Sequence, residues 1–200
     1  MRNILQINTS LYSEDGQSSK LARTFVQAWK LRHPEDHIIV RDLAKYPIPH
    51  LTAARFGAFN TLAEKRTPEQ QAIVVESDAL IAELKQADVL VLGLPMYNFG
   101  IPSTLKAWFD HIARVGVTFR YTANGPEGLL HGKKAYVLAA RGGFYQGTAR
   151  DSQSGHVKSF LGLLGINDVE FVYAEGLSIS ADQQRDALND AHANIQQLAA

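Results

Sequence analysis

Short aliphatic runs alternate along the chain with longer stretches in which apolar residues recur every three or four positions. Such uninterrupted aliphatic runs are typical of strands that are buried on both faces of a parallel sheet. Five of them are present, at 4–7, 38–40, 89–94, 135–140 and 169–173. The three-and-four spacing predicts amphipathic helices at 21–29, 73–84, 105–112, 157–164 and 188–198.

Local chemistry marks several helix ends. Thr67 to Gln70 and Ser180 to Gln183 have the residue types of capping boxes. Pro68 and Pro102 suit first helical positions, and Gly165 suits a left-handed C-cap. These signals support the helical interpretation of the segments that they border.

Five strands alternating with five helices imply right-handed crossovers and a parallel sheet with helices on both faces. The sequence therefore predicts a three-layer α/β sandwich, and 200 residues suit one such domain, spanning 1–200. In sheets of this kind ligands bind beyond the carboxyl ends of the strands, where the strand order reverses. Function is therefore expected in the loops after the first, third and fourth strands.

Two connections are longer than a crossover requires, at 45–67 and 113–131, and the second contains the turn signal Asn124-Gly125. Long connections inside compact domains usually form lids, binding walls or dimer contacts. We expect one of these roles for each.

Composition excludes several classes of function. Twenty basic residues balance twenty acidic ones, so no net field favours nucleic acid or anionic membrane as a partner. No cysteine is present, which excludes disulfides, thiolate catalysis and cysteine-ligated metals. The seven histidines show no metal-binding spacing, and no metal is predicted. With no long apolar run and no secretory h-region, a cytoplasmic location is expected.

The loop after the first strand is rich in hydroxyl and amide side chains. Ser10, Gln17 and Ser18 precede or open the first helix, where unpaired backbone N–H groups and the helix dipole favour a phosphate. The alternative is that Ser18 or Ser19 only caps the helix. Because GxGxxG and GxxxxGK[ST] are absent, a Rossmann dinucleotide site and an NTPase loop are disfavoured.

The loops after the third and fourth strands fit the ring system of a flavin. Backbone N–H groups near Met96, Tyr97, Asn98 and Phe99 suit the N5 and O4 edge of an isoalloxazine, with the side chains packing around it. Ala140, Arg141, Gly142 and Gly143 leave amide donors free for the N1 and O2 edge. The alternative for each loop is a tight turn over the sheet edge.

These residues resemble a known family. Ser10 with Gly16, Gln17 and Ser18, the run Pro95-Met96-Tyr97-Asn98-Phe99, and Arg141-Gly142-Gly143 are similar to the FMN-dependent NADH azoreductases, also called NADH:quinone oxidoreductases. The resemblance implies a flavodoxin-like fold with strand order 2-1-3-4-5. It also implies a homodimer with tightly but non-covalently bound FMN at its interface. Gly16 and Ala140 stand where some members have serine, so both positions lack a hydroxyl that bears on flavin affinity.

The same resemblance implies a ping-pong cycle in which NADH or NADPH is oxidised and a quinone or an azo compound is then reduced. The chemistry belongs to the flavin, so no general acid of the protein is obligatory. We expect Phe119 and Tyr121 of the partner subunit, together with Phe144 and Tyr145, to form a flat substrate slot. The alternative role for these four aromatic residues is packing in the core or in a dimer interface. Two other functions remain open: a flavodoxin-type electron carrier, and a flavin-free regulatory or scaffold protein.

Overall fold

A computed structural model describes residues 1–199. Its strands are β1 (Asn3–Asn8), β2 (His37–Asp42), β3 (Val89–Pro95), β4 (Phe119–Thr122), β5 (Gly125–Gly128), β6 (Lys134–Ala140) and β7 (Asp168–Ala174). Its α-helices are α1 (Gln17–Arg32), α2 (Ala53–Asn60), α3 (Pro68–Gln86), α4 (Ser103–Ile112), α5 (Ser152–Leu164) and α6 (Ala181–Leu198). Within residues 1–199, no helix is both long and apolar enough to cross a bilayer.

The central sheet is parallel and has the order β2-β1-β3-β6-β7. Counted among the five sheet strands alone, this is the predicted order 2-1-3-4-5, and the numbers differ only because the β4–β5 hairpin lies outside the sheet. The chain leaves β1 toward β2 on one side and returns to β3 on the other. The order therefore reverses beside β1, where sheets of this type bind ligands.

Two apolar cores sandwich the sheet. On one face α1 and α6 pack against it through residues such as Phe25 and Ile195. On the other face α3, α4 and α5 contribute residues such as Leu84, Trp108 and Leu161. This is the three-layer arrangement predicted from the alternation of apolar patterns.

The register of the sheet brings three loops to one edge. Asn8, the last residue of β1, is paired with Gly93 of β3, and Pro95, the last residue of β3, is paired with Ala140 of β6. The loops after β1, β3 and β6 consequently start side by side at the carboxyl edge. This edge holds the candidate site.

The two long connections contain structure that the sequence pattern did not predict. The first holds α2 and a 3-10 turn at Ala63–Lys65, and the second holds the antiparallel hairpin of β4 and β5. These elements are short, and they contain too few apolar residues to show a helical or strand periodicity in the sequence. Thr52 caps α2 by accepting from the Arg55 N–H, a signal that the sequence analysis missed.

Most of the predicted helix ends are confirmed. The Thr67–Gln70 capping box is reciprocal, with Pro68 as the first helical residue, and Gly165 closes α5 at φ 96°. Only half of the second box forms, since Ser180 accepts from the Gln183 N–H. The prediction for Pro102 was wrong by one position, because α4 begins at Ser103 and Pro102 is its N-cap.

Candidate active site

The N-terminus of α1 has no side-chain cap. Gly16 occupies the N-cap position in an extended conformation, and α1 begins at Gln17. The first three N–H groups of a helix have no partner within the helix. Ser18 and Ser19 are buried, and within residues 1–199 neither Oγ atom has a hydrogen-bond partner. Uncapped N–H groups beside unpaired buried hydroxyls are suited to an anion.

Ser10 links the loop after β1 to the loop after β3. Its buried Oγ accepts from the Tyr12 N–H at 3.2 Å and lies 3.4 Å from the Tyr97 hydroxyl. That hydroxyl also accepts from the Leu11 N–H at 3.1 Å. The two loops are therefore held together through Tyr97.

The loop after β3 is a tight turn with a left-handed backbone. Tyr97 and Gly100 exchange hydrogen bonds of 3.3 and 2.9 Å. Between them Asn98 has φ 50° and Phe99 has φ 65°, the pattern of a type I′ turn. Within residues 1–199 the N–H groups of Asn98 and Phe99 donate to no other group. They are available to acceptor atoms of a ligand. Met96 is anchored differently, because its N–H donates to the Ala140 carbonyl at 3.1 Å.

The loop after β6 presents unused N–H groups. The carbonyls of Arg141, Gly142 and Gly143 accept from N–H groups of the segment 176–178. No partner for the N–H groups of Gly142 and Gly143 is found in the described part of the chain. A Cβ at Gly142 would lie 2.8 Å from Oγ of Ser178, and one at Gly143 would lie 2.6 Å from the hydroxyl of Tyr145. A side chain at either position would therefore have to displace the neighbouring hydroxyl group.

The side chain of Arg141 points into the protein framework. Its guanidinium is buried, forms ion pairs of 3.0 Å with Asp151 and Glu175, and lies over the Tyr173 ring at 4.9 Å. Burial opposes ionisation of Asp151, but the Ser154 N–H and Arg141 hold the pKa of its carboxyl below the usual value. The contribution of Arg141 to the sheet edge thus comes from its backbone.

The predicted slot residues fall into two groups. Tyr145 packs edge-to-face on Phe99, with ring centroids 5.4 Å apart, and Phe144 is exposed beside Gly176. Both therefore adjoin the loops after β3 and β6. Phe119 and Tyr121 lie on the hairpin, also edge-to-face at 5.6 Å.

The second pair lines a cavity of about 450 Å³ together with Leu51, Phe56 and Phe59. No residue of the three loops lines this cavity. Phe119 is buried and Tyr121 is exposed. One chain therefore brings Phe144 and Tyr145 to the sheet edge, but it does not bring Phe119 and Tyr121 there.

Sequence reasoning missed several residues of this site. Ser19 was considered only as a cap, yet its hydroxyl is buried and has no partner among residues 1–199. Ser152 and Gln153, at the start of α5, donate hydrogen bonds to carbonyls of the loop after β3. The adjacency of Ser18 and Ser19 at a helix start was a usable signal. No local sequence pattern indicated that Gln153 would belong to the site.

Comparison with known proteins places the chain in a family. A family profile described as "Flavodoxin-like fold" matches residues 2–199. The chain is 54% identical over 184 residues to an FMN-dependent NADH:quinone oxidoreductase of Cellvibrio japonicus, covering 92% of each chain. It is also 54% identical over 193 residues to one of Alcanivorax borkumensis, covering 96% of this chain and 98% of that protein.

Solved structures show the same similarity in three dimensions. An azoreductase from Bacillus anthracis superposes with a TM-score of 0.91 at 28% identity, over 100% of this chain and 99% of that one. An FMN-dependent NADH-azoreductase from the same species, solved in complex with FMN, gives 0.90 at 26% identity, over 100% and 98%. A fold shared over the whole chain and sequence identity above one half leave a single conclusion. The chain belongs to the flavodoxin-like family of FMN-dependent NADH:quinone oxidoreductases and azoreductases.

Proposed function

We propose that this protein binds FMN at the carboxyl edge of its sheet and uses NADH, or NADPH, to reduce quinones and azo compounds. One NADH supplies a hydride and, with one proton, reduces a quinone to its hydroquinone and leaves NAD⁺. Cleavage of an azo bond to two amines takes four electrons, and therefore two NADH and two protons. A cytoplasmic location is also proposed, because the NADH that the reaction consumes is maintained there.

The proposal rests on buried polar groups at the start of α1 that have no hydrogen-bond partner within residues 1–199. Buried hydroxyls normally have hydrogen-bond partners, but Oγ of Ser18 and Oγ of Ser19 have none within residues 1–199. They adjoin an uncapped helix N-terminus. A phosphate monoester would accept from the helix N–H groups and from these hydroxyls. The residues present therefore fit the phosphate of FMN, with Ser10, Gln17 and Ser18 as its proposed ligands.

The other two loops supply donors for the ring system. The free N–H groups of Asn98 and Phe99 suit one edge of an isoalloxazine, and those of Gly142 and Gly143 suit the opposite edge. When bound, FMN supplies the two-electron redox chemistry. The chain binds and orients the ring and stabilises negative charge at the edge near Gly142. Pro95, Met96, Tyr97, Ala140 and Arg141 are proposed to support this cradle, since the N–H groups of Met96, Tyr97 and Arg141 donate to the carbonyls of Ala140, Gly100 and Ala174 and so hold the loops in place.

We infer that a second subunit completes the substrate slot. Phe56, Val115 and Tyr121 are all more than half exposed and surround the cavity at the hairpin. Exposed apolar groups clustered in this way are typical of interaction surfaces. In the proposed homodimer, Phe119 and Tyr121 of the partner subunit face Phe144 and Tyr145. Nicotinamide and acceptor would occupy this slot in turn, which gives ping-pong kinetics.

Absorption and turnover measurements test the proposal. The purified protein, or the protein incubated with FMN, is expected to show flavin absorption bands and to oxidise NADH when menadione or methyl red is added. Flavin binding without turnover would indicate an electron carrier instead. Failure to bind any flavin would refute both redox functions and favour the scaffold role. Initial rates at varied concentrations of both substrates should give parallel double-reciprocal lines, whereas intersecting lines would contradict the ping-pong cycle.

A further inference from the structure

We infer that Gln153 is a positioning residue for the flavin-binding turn after β3. Its side chain is fully buried, and its Nε2 donates to the Pro95 carbonyl at 2.8 Å and to the Gly100 carbonyl at 3.1 Å. These carbonyls lie at the two ends of the segment 95–100. A single amide group thus uses both of its hydrogens to fix the distance between the ends of the turn.

The turn needs an external support of this kind. Phe99 has φ 65°, a left-handed conformation that bulky residues adopt only when their surroundings impose it. The exchanged bonds between Tyr97 and Gly100 close the turn but do not attach it to the domain. The Tyr97 side chain and the Met96 N–H attach the first half of the turn to its neighbours. The second half is attached by α5, where Ser152 Oγ donates to the Phe99 carbonyl at 2.6 Å and Gln153 donates to both flanking carbonyls.

The first turn of α5 is itself fixed to the loop after β6. Asp151 caps α5 by accepting from the Ser154 N–H at 3.0 Å, and the same carboxylate is bound by the buried guanidinium of Arg141. Arg141 directly precedes Gly142 and Gly143. The start of α5 therefore connects the two loops that carry the free N–H groups, and its contacts with the turn after β3 are Ser152 and Gln153.

The chemistry of the amide indicates why glutamine occupies this position. Within the described residues its Oε1 has no hydrogen-bond partner, so the side chain is used here only as a double donor. Packing alone would be served by methionine, which has a similar length and no donor. If Gln153 merely fills space, Gln153→Met is harmless. If it positions the turn, the same substitution releases both carbonyls.

The test compares Gln153→Met with Gln86→Met, an exposed glutamine at the end of α3. In the apo protein, hydrogen exchange of the bonded amides of Met96, Tyr97 and Gly100 is expected to accelerate about tenfold in Gln153→Met, because two hydrogen bonds that support the turn are lost. Exchange in the sheet should stay unchanged. FMN should bind about tenfold more weakly and show altered absorption bands. Gln86→Met should match the parent protein in every measurement.

This inference rests on the proposed function, and the outcomes separate the two. If the parent protein binds no FMN, the proposed function fails. If the parent binds FMN and Gln153→Met matches it in exchange, affinity and spectrum, the positioning role is wrong and the proposed function stands. If the methionine variant does not fold, Gln153→Asn, whose amide is one methylene too short to reach both carbonyls, is measured instead against the same two outcomes.

Discussion

A Cβ atom placed on Gly16 would lie 2.0 Å from Oγ of Ser10 and 2.4 Å from its Cβ. The side chain of Ser10 therefore occupies the space that a side chain at position 16 would need. The family resemblance implied that some members have serine where Gly16 stands, so the phosphate loop here was expected to lack one hydroxyl. The structure shows that the space beside Gly16 is taken by another hydroxyl from the same loop.

The first prediction concerns Gly16→Ala. The backbone of Gly16, at φ −65° and ψ 143°, suits alanine, so the cost is the collision with Ser10. We expect the apo protein to lose about 1–3 kcal/mol of unfolding free energy, as overpacked sites do. Chemical denaturation measures this loss.

Two variants control for the Gly16 substitution. Gly155→Ala, at an uncrowded position in α5, should stabilise by about 0.5–1 kcal/mol. Gly16→Ala combined with Ser10→Gly removes the collision but also the hydrogen bonds of Ser10, so it should recover only part of the lost stability and none of the FMN affinity. An unchanged stability in the single variant would show that the loop can relax around the new side chain.

The second prediction concerns the charge at position 18. Ser18→Asp should weaken FMN binding more than tenfold relative to Ser18→Asn, because the two side chains have the same shape and only aspartate repels a phosphate. Both variants should lose apo stability, since Ser18 is fully buried. Ser18 does not cap the helix, because Gly16 is the N-cap of α1.

Riboflavin, which lacks the phosphate, provides the control for this pair. Its affinity should differ little between Ser18→Asp and Ser18→Asn when both are measured by flavin fluorescence. Equal FMN affinity in the two variants would contradict a phosphate at the start of α1.

The third prediction concerns the proposed slot. Phe119 is buried, so Phe119→Ala should lower the unfolding free energy by about 3–5 kcal/mol. A change in substrate selectivity could then not be separated from the loss of stability. Tyr121 is 71% exposed and is the better probe. We expect Tyr121→Ala to change the ratio of kcat/KM between menadione and methyl red while the apo chain keeps its stability. An unaltered ratio would remove Tyr121 from the slot.

The fourth prediction concerns the ion pairs beneath the loop after β6. Arg141→Met leaves Asp151 and Glu175 without their buried partner, and breaking a buried pair in this way costs about 3–5 kcal/mol. Arg185→Met removes surface pairs with Asp182 and Asp186 and should cost less than about 1 kcal/mol. Denaturant midpoints measure both. Similar losses in the two variants would show that the Arg141 pairs are not structural.

Arg141 also shows which parts of the site the sequence could predict. The five sheet strands and the three loops follow from patterns that are local to each strand and turn, and these were predicted from the residues, whereas the strand order was an implication of the family resemblance. The partners of the Arg141 side chain lie 10 and 34 residues away, and only the fold brings them to it. Gln153 meets residues 53 and 58 positions away. Such contacts leave no periodic signal, so one sequence cannot reveal them.

The fifth prediction concerns His111, which is fully buried between α2, α3 and α4. Its Nδ1 lies 2.8 Å from the Ala107 carbonyl, which only accepts, so Nδ1 carries the proton and Nε2 faces Arg55 at 3.4 Å. Burial lowers the pKa of the imidazole, and the charge of Arg55 adds to this, while the hydrogen bond to the Ala107 carbonyl and the charges of Asp110 and Glu76 oppose it.

Stability should therefore fall in acid. The unfolded chain takes up a proton at His111 near the ordinary pKa of 6.5, whereas the folded chain does so only at lower pH. Between these values the unfolded state binds more protons, so the unfolding free energy decreases as the pH drops below 6.5, by at most about 1.4 kcal/mol per pH unit. Denaturation of His111→Gln between pH 7.5 and 5 should show a shallower slope than the parent. His192→Gln, at an exposed position in α6, should keep the parent slope, and equal slopes in all three proteins would show that His111 does not titrate with unfolding.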